Sequence, residues 1–298
     1  MSLSQIFGNR LAASTTVLAV LSGLAVMLIW SGWIVFSRLG LQSTLTASDM
    51  TLLRFGTAAL CTLPLAIRYP WKRVKMYRVL IVGLGCGFPY TLLSFYGLAL
   101  NPAAYAGVIV NGSLPIVSGI LCWILLKEKP SLAMAVTVVL LAIANALLWY
   151  NTHETEFYAG GVVLLFSAAW VLAIYMLAVK VWKVALSDII VWVPWSNTLL
   201  FIPLWVFMPS QLIHASIGEI GFQMLYQGVV VSLGGLLLFS YAIKVLGPMT
   251  SSLFMAFVPV VTAILAIPIL GELPVGMQWG GVILCSVALL GHQFKWFT

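Results

Sequence analysis

The segment 114–130 (LPIVSGILCWILLKEKP) recurs without a gap as 258–274 (VPVVTAILAIPILGELP) at an offset of 144 residues, which sets Pro115 on Pro259, Glu128 on Glu272 and Pro130 on Pro274. Earlier positions keep the correspondence: Asp49 and Pro64 fall on Asp188 and Pro203 at an offset of 139, and Trp30 falls on Trp170 at an offset of 140. The chain is a doubled unit, so whatever one copy folds into must pack against a second version of itself.

Each copy is apolar almost throughout. Of 298 residues only 7% are charged and 62% are apolar, at a mean hydropathy of +1.11, whereas a soluble domain carries about 25% charge. The apolar runs reach the roughly 20 residues that a bilayer core demands. Only a helix satisfies its backbone polar groups within one segment of that length. The ten-residue alternation of a membrane strand is missing, which argues against a barrel. The runs predict an all-α integral membrane protein with ten transmembrane helices over 16–38, 47–67, 78–100, 103–126, 131–150, 158–180, 187–208, 221–246, 249–270 and 275–294. Two tandem copies give five helices each, in units 1–151 and 152–298. An odd-numbered unit starts its second copy from the opposite face, so the expected architecture is a pair of inverted five-helix repeats. The first run, 16–36, is too long for a signal-peptide core and lacks a small-residue cleavage site, so it is read as a retained helix.

With the N-terminus inside, one face collects Arg10, Arg68, Lys72, Arg73, Lys75, Arg78, Lys127, Lys129, Lys180, Lys183, Lys244 and Lys295, and the other only Arg38. That asymmetry predicts cytoplasmic termini and puts His153, Glu154, Glu156 and Glu219 outside. The net charge of +7 therefore reports orientation, and no nucleic-acid partner is expected. Cys61, Cys86, Cys122 and Cys285 all lie in apolar spans, where thiols act as small hydrophobes rather than as a disulfide or metal framework. No metal and no cofactor is expected.

Trp30, Tyr96, Pro102, Pro115 and the run Leu126-Lys127-Glu128-Lys129-Pro130 of the first copy, with Trp170, Tyr241, Pro248, Pro259 and Gly271-Glu272-Leu273-Pro274 of the second, resemble the repeated unit of the drug/metabolite transporter superfamily, EamA type. The chain as a whole also resembles bacterial amino-acid exporters of the YddG kind. The resemblance implies ten helices around a central cavity in a bacterial inner membrane. It also implies export of small metabolites, with aromatic and other neutral amino acids the leading class, by a monomer or weak homodimer. Three positions depart from internal symmetry: Lys127 and Lys129 stand where the second copy has Gly271 and Leu273, and Arg54 where it has Val193.

Intramembrane ionisable groups are the first functional candidates. Arg54 lies about 8 Å along its helix from Asp49, at 1.5 Å per residue. It reads either as the counter-ion of a substrate carboxylate or as a partner of Asp49 that snorkels to the interface. Asp49, Asp188, Glu128 and Glu272 all sit near span ends, which points to a gradient-driven carrier without a proton-coupling carboxylate. The cavity candidates are Trp30, Trp33, Arg54, Tyr90, Tyr96, Asn111, Ser113, Trp170, Tyr175, Gln227, Ser232 and Phe254. The aromatics among them serve equally as packing groups, and the amides of Asn111 and Gln227 serve equally as interhelical hydrogen-bond partners. Trp149, Trp192, Trp195, Trp205 and Trp296 suit an interfacial belt. Pro115 and Pro259 are hinge candidates because each removes a mid-helix hydrogen bond. Glu128 and Glu272 each precede a Pro-started helix and read as its cap.

The three histidines lie in loops or at helix ends and form no catalytic pairing, so an enzyme is not expected. The chain has no nucleotide-binding loop. A multidrug or other metabolite efflux carrier of the same fold, and a channel-like pore, remain as alternatives. A nucleotide-sugar carrier would need two or more cavity cations, and only Arg54 is available.

Overall fold

The computed structural model describes residues 3–127, 131–149, 158–294 and 296, with residues 3–14, 149, 248, 249 and 252 described by backbone alone. Among the described residues the chain is helical and has no strand. The helices are α1 (Leu3–Leu41), α2 (Ala47–Arg68), α3 (Met76–Gly85), α4 (Phe88–Leu100), α5 (Ala103–Leu126), α6 (Leu132–Trp149), α7 (Ala159–Trp182), α8 (Leu186–Trp205), α9 (Ile217–Gln223), α10 (Leu236–Ala256), α11 (Val258–Leu270) and α12 (Met277–Gln293). A π-helical segment, Met224–Gly235, joins α9 to α10.

Among the described residues seven stretches are long and apolar enough to cross a membrane: Thr15–Leu41, Ala47–Arg68, Met76–Leu100, Ala103–Leu126, Ala159–Trp182, Leu186–Trp205 and Ile217–Gly247. The apolar helices Leu132–Leu148 and Val258–Leu270 are shorter. The protein is therefore a multi-pass membrane protein, and seven of the ten expected spans meet the length and hydropathy of a full crossing.

Three expected helices are divided. The third span, expected as one helix over 78–100, breaks at Cys86–Gly87 into α3 and α4. The eighth contains the π-helical segment. The ninth, expected over 249–270, is divided at Phe257, where α11 begins. Pro259 consequently occupies the first turn of α11 and removes no mid-helix hydrogen bond, contrary to its expected hinge position, because the first amides of a helix are unpaired in any case. Pro115 does lie inside α5.

Carboxylates at helix ends tie the bundle together. Asp49, in the first turn of α2, completes a capping box with Thr46. It also accepts the indole N–H of Trp205 at 3.0 Å, the Ser210 hydroxyl, and the backbone N–H of Gln211 at 2.8 Å. This carboxylate is fully buried, and burial is tolerated because its lone pairs are filled. At the opposite end Tyr69, just beyond α2, donates its hydroxyl to Asp188 in the first turn of α8 at 2.6 Å and accepts the Trp192 N–H at 2.9 Å. Each end of α2 thus meets the reverse end of α8, and the two helices run antiparallel with corresponding aspartates at opposite ends. Trp192 and Trp205, expected in an interfacial belt, are spent on these carboxylate clusters.

A third junction joins α1, α4, α5 and the segment before α12. Arg38 donates from Nε to Glu272 at 2.9 Å and from Nη1 to the carbonyls of Leu98 and Ala99 at 2.6 and 2.8 Å. The other oxygen of Glu272 accepts the N–H of Ala103 at 2.7 Å. Glu272 thus caps α5 and not the helix that follows it, as expected from sequence. The N-cap of α5 is Pro102, which offers no side-chain acceptor, whereas the turn before α12 receives Gln278 Oε1 on the Val275 N–H. Its repeat mate Glu128 lies outside the described residues, as do His153, Glu154 and Glu156.

Burial and the bond to Asp188 push the Tyr69 hydroxyl up from its ordinary value near 10 to about 12. A raised value means that the proton is held by the folded state, so the stabilisation is complete below pH ~10 and is lost as pH rises through ~12. Spectroscopic titration of wild type against Tyr69→Phe is expected to show one tyrosinate forming about two pH units late, and Tyr69→Phe is expected to remove the alkaline loss of thermal stability belonging to this pair.

Candidate functional site

The break between α3 and α4 has its own brace. An interrupted helix inside a bilayer leaves donors and acceptors that no solvent can satisfy. Asn197 of α8 supplies both: its Oδ1 accepts the Phe88 N–H at 2.6 Å, and its Nδ2 donates to the Gly83 carbonyl at 2.8 Å. Gly87 permits this approach, since a Cβ there would stand 1.9 Å from Asn197 Oδ1. The break leaves the first turn of α4, with the positive end of its helix dipole, inside the bundle.

Tyr90 of that turn stacks on Trp33 of α1 with ring centroids 5.8 Å apart, and Phe95 lies 6.2 Å from Trp33. The guanidinium of Arg54 on α2 sits 5.2 Å from the Trp33 ring centroid and 5.5 Å from that of Phe55. Arg54 is 7% exposed, and neither its Nε nor its Nη1 has a hydrogen-bond partner. Asp49 is engaged elsewhere, so the sequence's alternative of an Asp49–Arg54 pair is not formed. Among the described residues no carboxylate forms an ion pair with Arg54.

The fourth wall is the π-helical segment. Gly228 lies against α2, where a Cβ would fall 2.5 Å from Thr57 Cβ and 3.1 Å from the Arg54 carbonyl. Its neighbour Gln227 is fully buried and donates to Ser37 Oγ at 2.9 Å and to Gln223 Oε1 at 3.2 Å. Further buried groups on these elements lack partners: Trp33 Nε1, Thr57 Oγ1, Thr91 Oγ1 and Gln227 Oε1. A buried polar atom without a partner carries a desolvation penalty of about 1–3 kcal/mol. Among the described residues these unpartnered atoms lie on the same elements that carry Arg54 and its aromatic neighbours.

Four expected residues, Trp33, Arg54, Tyr90 and Gln227, belong to this cluster. The others are dispersed. Trp30, one turn from Trp33, packs edge-on against Phe239 at 5.1 Å on the α10 side. Tyr96 is 39% exposed. Asn111 donates to the Gly107 carbonyl of its own helix at 2.8 Å, so its expected interhelical bond is not made. Ser113 is buried within α5. Trp170 packs with Val117, Leu121 and Ala173 between α5 and α7, and Tyr175 lies against Gly85. Ser232 donates back to the Gln227 carbonyl at 2.7 Å, and Phe254 fits against Gly23 of α1. Thr57, Thr91, Phe95 and Asn197 were not expected. Thr57 sits one turn beyond Arg54 and Thr91 adjoins Tyr90, a spacing that links them to residues already chosen. Asn197 carries no such signal.

The membrane-length apolar helices define a multi-pass membrane protein, and the broken helix sets its inner end beside a buried cation. Residues 17–150 match the EamA-like transporter family, so that segment is similar to a family of membrane transporters. A solved structure described only as "Crystal structure of protein" is similar in fold over 93% of this chain and 98% of its own, with a TM-score of 0.62 at 17% identity. A search of curated proteins gives no match.

Asn197→Ala leaves the Phe88 donor and the Gly83 acceptor unpaired inside the bundle, at an expected cost of about 1–3 kcal/mol each. Thermal unfolding in detergent is expected to show a large drop in midpoint, with Asn197→Asp, which keeps only the acceptor, falling between the two.

Proposed function

We propose that the protein exports amino acids or similar small carboxylate-bearing metabolites by alternating exposure of the Arg54 cluster between two inverted five-helix units. The units are 1–151 and 152–298, ten spans in all, in a bacterial inner membrane with both termini cytoplasmic, as a monomer or weak homodimer. The observation that carries the reading is the uncompensated guanidinium of Arg54. A cation in a medium of low dielectric is costly without an anion, and a carboxylate matches the fork of its donors. The half-helix N-terminus of α4 favours the same sign of charge, as broken helices do in other carriers. Trp33, Tyr90 and Phe95 offer an aromatic wall for the remainder of the ligand.

The described carboxylates, Asp49, Asp188, Glu219 and Glu272, all lie near helix ends and are hydrogen-bonded there. This supports a gradient-driven carrier without a proton-coupling carboxylate. Quaternary amines, the cargo of a multidrug carrier, would meet Arg54 as a like charge. A second reading has its own support: among the described residues no carboxylate pairs with Arg54, so a monoanionic acid would neutralise it while an amino acid would bring an ammonium that also needs a partner.

Uptake into liposomes of phenylalanine, phenylpyruvate, a quaternary amine and a nucleotide sugar tests these readings. Arg54→Gln is expected to cut carboxylate uptake about 10- to 150-fold, from the ~1.5–3 kcal/mol of a charge-assisted bond, while raising thermal stability because an unpaired buried charge is removed. Unchanged uptake in Arg54→Gln overturns the counter-ion role. Absence of trans-stimulation by unlabelled substrate would favour a pore.

A further inference from the structure

Away from the Arg54 cluster, α2, α3 and α8 leave an open groove of 440 Å³ between them. Its walls are apolar: Leu63 and Ile67 from α2, Val79 and Leu80 from α3, and Leu199 and Leu200 from α8. Trp71 stands at one end, pinned there by the bond from its indole N–H to the Ala66 carbonyl at 2.9 Å. That end lies beside the Tyr69–Asp188 bond. The lining extends from Trp71, beside the Tyr69–Asp188 end, to Leu200, which lies about 18 Å along α8 from Asp188 at 1.5 Å per residue, close to the ~15 Å depth of one leaflet of a bilayer core. The groove therefore runs from the interface to about mid-membrane, which is the path of a single acyl chain.

The mouth is strongly basic. Trp71 and Met76 both line the groove, and the short turn between them carries Lys72, Arg73 and Lys75, all exposed, with Arg68 exposed at the end of α2. The carboxylate at this end, Asp188, is occupied by Tyr69. A second groove, of 270 Å³, lies on the other side of α3 with Val171 and Ile174 in its wall, and no cation lines it. No cation lines the wall of the first groove either, but the turn that carries Lys72, Arg73 and Lys75 joins two residues that do line it, Trp71 and Met76.

We infer that this groove holds an anionic phospholipid of the adjoining leaflet, with an acyl chain along Leu63, Val79 and Leu200 and the phosphate on the Lys72–Lys75 turn. The chemistry is that of basic pockets between membrane helices that select anionic headgroups. The apolar wall supplies retention and the cations supply selectivity, so a neutral lipid occupies the groove weakly and a soluble phosphate finds no hold. The site is independent of Arg54, and its test reads lipid rather than transport.

The test uses the full chain in detergent, exposed in turn to phosphatidylglycerol, phosphatidylcholine and glycerol 3-phosphate, with retained molecules counted by native mass spectrometry and thermal midpoints recorded. Phosphatidylglycerol is expected to be retained several-fold over phosphatidylcholine and to raise the midpoint, and glycerol 3-phosphate to do neither. Combined Lys72→Ser, Arg73→Ser and Lys75→Ser is expected to abolish the difference between the two lipids. Leu200→Trp, which fills the deep end, is expected to lower retention of both lipids with the cations intact. Equal retention of the two lipids would mean bulk annular lipid only and overturns the inference, as does selectivity that survives the triple substitution. A midpoint shift from glycerol 3-phosphate equal to that from the lipid assigns the cations to free phosphate and overturns it too.

Discussion

No solvent inside a bilayer can complete a hydrogen bond that the protein leaves open, and the structure is organised around the places where its helices stop obeying that constraint on their own. Each interruption is matched by a side chain from another part of the chain. Asn197 of α8 serves both strands of the break between α3 and α4. Glu272 serves the first amide of α5, whose Pro102 N-cap has nothing to offer. Arg38 serves the last carbonyls of α4 while neutralising Glu272. In each case the partner is at least 60 residues away in sequence. Satisfying local backbone groups is thus the same act as fixing the tertiary arrangement.

Residues 139 positions apart hold corresponding places in α2 and α8. Asp49 and Asp188 occupy the first turns of α2 and α8, and each reaches groups near the far end of the other helix. The correspondence ends where loop chemistry differs. Asp49 is fully buried and takes donors from Thr46, Trp205, Ser210 and Gln211, whereas Asp188 stays partly exposed and takes Tyr69.

The apolar runs made most helices legible, since a span of about 20 apolar residues has few alternatives in a bilayer. What the runs could not reveal were interruptions within them: hydropathy reads Cys86–Gly87 and Phe257 as continuous apolar sequence, though a Gly and a following Pro stand at the first and a Pro follows the second. Arg54 was legible because a charge in an apolar run is conspicuous. Its surroundings were less so. Trp33, Tyr90 and Gln227 were chosen for depth and polarity, and so were Trp30, Tyr96, Asn111 and Ser232, which turn elsewhere, because depth along a helix does not specify the face when helix rotation is unknown. The role of Asn197 depends on a contact between residues 109 positions apart, which no local pattern encodes.

The asymmetry between the repeats carries the last step. At the offset of 139, Arg54 corresponds to Val193 and Asn197 to Ala58, and both Val193 and Ala58 are buried apolar residues. Each copy therefore holds one polar group where its mate holds none, and both groups flank the same broken helix: Asn197 braces the break, and Arg54 faces Tyr90 and Trp33 beside it. Had both copies kept an arginine, two buried cations would repel across the seam at several kcal/mol. Dividing the two roles between the copies lets one interrupted helix be rigidly held from one side while an unpaired cation waits on the other.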